Sequence, residues 1–96
     1  SKTADLGLIR SLAVELGPYK INVNGVCPGI IKTDFARALW ENPEILKEIE
    51  KNAPLRRIGS VDEVAGAAIL LASRAGAFIT GQVITMDGGV TIAGKG

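Results

Sequence analysis

Apolar residues Leu6, Ile9, Leu12, Ala13 and Leu16 recur at helical spacing and predict a helix over residues 2 to 16. Gly17 is expected to take a left-handed position at its end, where Pro18 forbids continuation. The run Ile21-Asn22-Val23-Asn24-Gly25-Val26-Cys27 is rich in apolar and β-branched residues, is stopped by Pro28-Gly29, and predicts a strand buried on both faces. Ile30 to Gly59 is irregular: Phe35, Leu39 and Trp40 suit one short helix, Ile45, Leu46 and Ile49 another, with Pro43 and Pro54 as punctuation. Ser60 and Glu63 form a capping box before the series Val61, Val64, Ala65, Ala68, Ile69 and Leu71, which predicts a helix of about 12 residues. Gly66, Ala67 and Ala68 would let that helix pack closely, and a second strand over Gln82 to Asp87 is halted by Gly88-Gly89.

The order is helix, strand, helical excursion, helix, strand. Two strands joined by a helical crossover are a parallel pair, and such a pair needs both faces covered and further strands beside it. The expected fold class is therefore α/β, with this chain as the closing half of a sheet whose other strands lie elsewhere. A helical stripe already in progress at Ser1, with no initiator Met and no cap, adds to the expectation of a piece of a longer protein.

Composition narrows the chemistry. The 96 residues are 47% hydrophobic and 22% charged, as in a globular protein. Eleven Lys and Arg against 10 Asp and Glu leave a charge of +1, which provides no footprint for nucleic acid or anionic lipid. The absence of histidine excludes a Ser-His-Asp or Cys-His nucleophile within this chain and the imidazole ligands of catalytic zinc, and no metal site is expected. The lone Cys27 reads as a small buried hydrophobe in a reducing compartment. No apolar run approaches the ~20 residues of a membrane span and no signal-peptide pattern occurs, so the expected location is cytoplasmic.

Neither a P-loop nor a Gly-x-Gly-x-x-Gly fingerprint occurs, which places any phosphate cradle upstream. Ligands of open α/β sheets bind beyond the carboxyl ends of the strands, and there lies Pro28-Gly29-Ile30-Ile31-Lys32-Thr33, the foremost candidate for a binding loop. On spacing alone a plain strand-to-helix turn, with Thr33 or Asp34 as N-cap, is the simpler account. Asp34 to Ala53 is a candidate lid whose Phe35, Leu39 and Trp40 either close over substrate or pack permanently on the core. Glu41, Glu44, Glu48, Lys47 and Lys51 read as a solvated helical face. Arg56 and Arg57 can attract a phosphate or acidic substrate, although a surface pair is commoner, and Asp87 reads as a turn former.

Ser1-Lys2-Thr3-Ala4, Leu12-Ala13-Val14-Glu15-Leu16-Gly17, Ile21-Asn22-Val23-Asn24, Pro28-Gly29-Ile30-Ile31-Lys32-Thr33 and Asp87-Gly88-Gly89 together resemble the C-terminal part of a short-chain dehydrogenase/reductase. The resemblance covers nearly the whole chain in the right order. It implies that residues 1–96 are the C-terminal portion of one Rossmann-type domain, a doubly wound parallel sheet whose N-terminal coenzyme-binding half is absent. In that family Ser-Lys closes a Tyr-x-x-x-Lys motif, so Lys2 would be the catalytic lysine, hydrogen-bonded to the nicotinamide ribose and lowering the pKa of a Tyr just upstream. The alternative for Lys2 is a solvated lysine on an exposed helix face. The resemblance sets Ile31, through its backbone, and the Thr33 hydroxyl against the nicotinamide carboxamide, with Pro28 and Gly29 shaping the loop.

The implied activity is NAD(P)-dependent interconversion of a small-molecule carbonyl and an alcohol by hydride transfer, with NADP or NAD as cofactor. Phe35-Ala36-Arg37-Ala38-Leu39-Trp40 is more similar to NADP-dependent carbonyl reductases than to 3-oxoacyl-acyl-carrier-protein reductases, which remain the alternative. A non-catalytic dinucleotide-binding or interaction subunit is the alternative of another class. The first helix, last helix and last strand resemble the family's subunit contacts and imply a homotetramer. The piece alone is expected to be inactive.

Overall fold

The computed structural model describes residues 2–93, with side chains from Ala4 onward. Contacts divide the chain into two compact units, one running to Val26 together with Gly66–Ile84 and the other comprising Cys27–Ala65 and the chain from Thr85 onward.

In the first unit, α1 spans Lys2–Leu16, as its apolar stripe predicts. Gly17 does not reverse the chain. Gly17–Tyr19 tightens into a 3-10 turn, and the left-handed residue is Lys20, at φ 62°, whose N–H reaches the Gly17 carbonyl at 2.8 Å. The fixed φ of proline suits the first turn of a helical segment, so Pro18 carries the winding one turn further before the chain turns back.

The strand expected from Ile21 begins later, as β1, Gly25–Pro28, and its residues are half-buried or exposed rather than enclosed on both faces. The preceding residues are held by side chains instead. The Asn22 amide donates to the Ala77 carbonyl at 3.1 Å, and the Asn24 amide donates to Ile79 and accepts from the Gln82 N–H, both at 3.0 Å. Between them the Val23 N–H meets the Thr80 hydroxyl at 3.0 Å. Asparagine competes with ladder bonding in this way because its short amide reaches nearby main chain. Gly76 here admits no side chain, since a Cβ would stand 2.2 Å from the Leu70 carbonyl oxygen.

β2, Val83–Met86, pairs with β1. The Gly25 N–H donates to the Gln82 carbonyl at 2.9 Å, and four residues further along each strand the Gly29 N–H donates to Met86 at 2.9 Å. This equal advance makes the pair parallel, as its crossover requires.

The second unit contains α2, Arg37–Trp40, and α3, Pro43–Asn52. Pro43 opens α3 rather than interrupting it, and the Asn42 side chain caps the Glu44 and Ile45 N–H groups. α4, Val61–Ala72, starts on the expected capping box: the Glu63 N–H reaches the Ser60 hydroxyl at 3.2 Å and the Ser60 N–H reaches the Glu63 carboxylate at 2.9 Å. Gly66 faces open space, so it serves no close packing among the described residues.

Only Ala13, Ala53 and Gly76 are buried among the described residues, whereas Leu8, Val14, Ile69 and Phe78 are exposed. Helices of this apolar content gain most of their stability from a covered face, which the described residues do not supply. Cys27 is half-buried and free rather than fully enclosed. No helix among the described residues is long and apolar enough to cross a membrane.

Candidate functional site

The loop leaving β1 occupies the second unit, and its first fixed point is Gly29. Besides the Met86 hydrogen bond, a Cβ on Gly29 would stand 2.9 Å from Asp87 Cα and 2.8 Å from Asp87 Cβ. Only glycine lets these two backbones approach so closely. The Asp87 carboxylate accepts the Gly89 and Thr91 N–H groups, each at 2.9 Å, and the Thr91 hydroxyl. These bonds, the Thr91 hydroxyl first, hold its carboxyl below the usual range. Asp87 is thus the expected turn former, and its turn also bears on the loop. The Gly88 carbonyl accepts the Leu55 N–H at 3.1 Å, two residues beyond the end of the candidate lid.

Beyond Gly29 the loop pairs for one bridge, Ile31 with Gly59, through Lys32 N–H to Gly59 and Gly59 N–H to Ile30, at 2.9 and 3.0 Å. The Ile31 carbonyl accepts the Thr33 N–H at 2.8 Å, while no acceptor among the described residues meets the Ile31 N–H. Thr33 accepts the Ala36 N–H on its hydroxyl at 3.2 Å. The helical N-cap is Ala36, so neither Thr33 nor Asp34 caps α2 in the expected sense. The hydroxyl acts one turn earlier and as an acceptor, and its proton meets no acceptor among the described residues.

An open cavity of about 580 Å³ lies over this loop, within the ~300–1,000 Å³ range of small-molecule sites. Its walls include Pro28, Gly29, Ile31 and Thr33 from the loop and Phe35 and Leu39 from the segment that follows. Phe35 is fully exposed, with no core packing among the described residues. Val61, Val64 and Ala65, in the first turns of α4, complete the wall. Their three- and four-residue spacing is visible in the sequence, but nothing local says that this stripe faces a loop some thirty residues earlier.

Trp40 does not line the cavity. Its indole N–H donates to the Thr33 carbonyl at 2.8 Å, and Lys32 Nζ and Arg37 Cζ lie 5.0 and 5.6 Å from its ring centroid. Each such cation contributes about 0.5–1 kcal/mol at an exposed ring. Arg37 also pairs with Asp34 at 2.6 Å and Glu41 at 3.4 Å.

The arginines considered for phosphate are engaged within the chain. Arg56, in a left-handed conformation at φ 57°, donates to the Lys51 and Ala53 carbonyls at the end of α3. Arg57 grips Glu63 through two bonds of 2.7 and 2.8 Å, which hold the Glu63 carboxyl down to about 2 and raise the Arg57 guanidinium. No group of side chains suited to a metal ion occurs among the described residues. Lys2 opens α1, and its side chain lies outside the described residues.

A family profile described as enoyl-(acyl carrier protein) reductase matches residues 1–91. Human dehydrogenase/reductase SDR family member 4 is 42% identical over 89 residues, 93% of this chain and 32% of that protein. The structure of 4-hydroxyisoleucine dehydrogenase complexed with NADH superposes with a TM-score of 0.88 at 32% identity, covering 95% of this chain and 37% of that one. The Pseudomonas aeruginosa RhlG/NADP active-site complex gives 0.85 at 40% identity, covering 93% and 36%. The chain spans about a third of the length of the curated relatives it matches.

Proposed function

The chain belongs to the short-chain dehydrogenase/reductase family, and from that premise we propose that its parent protein is an NAD(P)-dependent oxidoreductase interconverting a small-molecule carbonyl and an alcohol. The observation that carries this reading is the loop at the carboxyl end of β1, where the Ile31 N–H and the Thr33 hydroxyl proton, without acceptors among the described residues, belong to residues that wall an apolar cavity. Two directional donors at an apolar wall fit a flat amide-bearing ring such as nicotinamide, and the named complexes of related structures contain NADH and NADP. When bound, the coenzyme supplies or accepts hydride.

The chain's own residues position and shield. Ile31 and Thr33 would fix the carboxamide and so the ring face presented to substrate, an effect of orientation rather than of acid-base chemistry. Pro28 and Gly29 hold the loop close to the Asp87 turn. Phe35 and Leu39 wall the cavity and would shield a bound ring from water. Lys2 occupies the lysine position of the family's Tyr-x-x-x-Lys motif, where its ammonium would bind the ribose hydroxyls and favour the tyrosinate form of the motif's Tyr.

We place residues 1–96 in the C-terminal part of a single Rossmann-type domain and the parent in the cytoplasm as a homotetramer. The unpaired Cys27 supports a reducing compartment, and the exposed Val14 and Ile69 support further contacts for α1 and α4. Light scattering on the full-length parent tests the assembly.

The full-length protein should oxidise NADPH or NADH with aldehydes or ketones, or reduce the oxidised coenzyme with alcohols. Lys2→Met should lower kcat by roughly 100-fold or more with the fold retained, the scale of lost acid-base assistance. Absence of any nicotinamide turnover across such a panel overturns the enzyme reading, and near-normal turnover of Lys2→Met overturns the role of Lys2.

A further inference from the structure

The indole of Trp40 joins two pieces of the site that share no regular ladder. On one side stands the loop carrying Ile31 and Thr33, and on the other α2, whose leading residues Phe35 and Ala36 and helical Leu39 wall the cavity. Among the described residues, Thr33 is bonded to the start of the helix by the Ala36 N–H, which reaches its carbonyl and its hydroxyl, both at 3.2 Å, and by the Trp40 indole N–H, which reaches the same carbonyl at 2.8 Å, beside the Arg37 N–H to the Asp34 carbonyl at 3.1 Å. The Trp40 bond is the shorter and spans seven residues, so it closes a complete loop of chain from Thr33 to Trp40. The ring is held in place by the cations of Lys32, on the loop, and Arg37, on the helix. Arg37 is in turn anchored to Asp34 and Glu41. Nothing in this arrangement brings the indole into the cavity, from whose wall Trp40 is absent while its neighbours Ala36 and Leu39 are present.

We propose that Trp40 is a positioning residue for the coenzyme: by donating to the Thr33 carbonyl it fixes the Thr33 peptide and hydroxyl against α2, and so sets coenzyme affinity rather than closing over substrate. The proposal rests on the reading that the Pro28–Thr33 loop receives nicotinamide. A carbonyl already engaged by the Trp40 and Ala36 N–H groups cannot turn toward a ligand, and this constraint leaves the Thr33 hydroxyl as the group that faces one. Releasing the indole bond leaves the loop to be ordered at the moment of binding, which weakens binding without touching the hydride-transfer step.

The test uses the full-length parent carrying Trp40→Phe, which keeps a ring beneath the cations and removes the donor. Coenzyme Kd is measured from nicotinamide fluorescence with NADPH and NADH, and KM and kcat are measured for coenzyme and substrate separately. The expected result is a coenzyme Kd and KM raised about threefold to tenfold, the scale of one lost hydrogen bond, with kcat at saturation and substrate KM within about twofold of the parent. An unchanged coenzyme Kd, or a rise confined to substrate KM, overturns the proposal. If wild type binds neither coenzyme, the underlying reading of the loop fails instead, and the two failures are told apart by that control. Should the Phe variant not fold, exchange of the indole Nε1 proton in the wild type decides. Slow exchange that slows further with coenzyme supports the latch, and free exchange in the bound state overturns it.

Discussion

The two ends of β1 are built on opposite terms. Before the strand, Asn22, Val23 and Asn24 commit their polar groups to the segment ending at Gln82, with the Asn24 amide used as donor and acceptor at once. After it, the Gly29 and Lys32 N–H groups are held by main-chain carbonyls, while the Ile31 N–H and the Thr33 hydroxyl proton meet no acceptor among the described residues, in a loop that walls an apolar cavity. Polar groups away from water are ordinarily paired, so a saturated network reads as structure and a pair of spare donors against an apolar wall reads as a place for a ligand.

The sharpest way to break this contrast is Gly29→Val in the full-length parent. The added carbons meet Asp87 backbone rather than a flexible side-chain end, so the loop must move; overpacking of this kind costs about 1–3 kcal/mol and should abolish measurable coenzyme binding. Fluorescence titration with NADPH showing wild-type affinity would mean that the Asp87 turn does not set the loop.

Asn24→Ala tests the other end. Loss of both amide bonds should lower unfolding stability in urea by about 1–3 kcal/mol while leaving kcat/KM near the parent value under native conditions. A coenzyme KM that rises as much as in loop variants would erase the distinction between the two ends. Thr33→Ala is the converse, with coenzyme KM raised about threefold to tenfold and the unfolding midpoint little moved. Kinetics identical to the parent at several coenzyme concentrations would remove Thr33 from the site.

The smallest effect concerns the start of α4. The Glu63 carboxyl is held down to about 2 from 4.5 by Arg57 and Ser60. A depressed carboxylate stabilises the fold above its unfolded pKa, and that contribution disappears as pH falls from about 4.5 through about 2. Glu63→Gln should therefore flatten the acid limb of the stability profile in that window and leave neutral-pH activity as it was. An acid limb as steep as the parent's would show that the pair contributes nothing, as many exposed pairs do.

Much of the architecture is legible in the residues because its causes are local. The stripe from Leu6 to Leu16 makes α1, the Ser60 to Glu63 box starts α4, and the Pro28-Gly29 stop falls where β1 ends. The local reading fails where one polar group has two possible partners. Asn22 and Asn24 read as strand because their alternation with Ile21 and Val23 is a strand's, yet their amides take carbonyls more than fifty residues away in sequence. Thr33 reads as a helix cap but caps the turn before it, and Trp40 reads as a lid or core residue by its apolar character although its N–H is bonded to the loop. The share of Val61 and Val64 in the cavity is likewise invisible to spacing.

By itself the sequence determined the order and type of the elements, the parallel sense of the strands and the family, and it set the Pro28–Thr33 loop after the first strand, since periodicity, caps and turn residues act within a few positions of themselves. Tertiary structure decided which of that loop's polar groups remain uncommitted and which side chains surround them. A hydrogen bond consumes a donor only when a distant acceptor arrives within reach, and that arrival is a property of the folded chain.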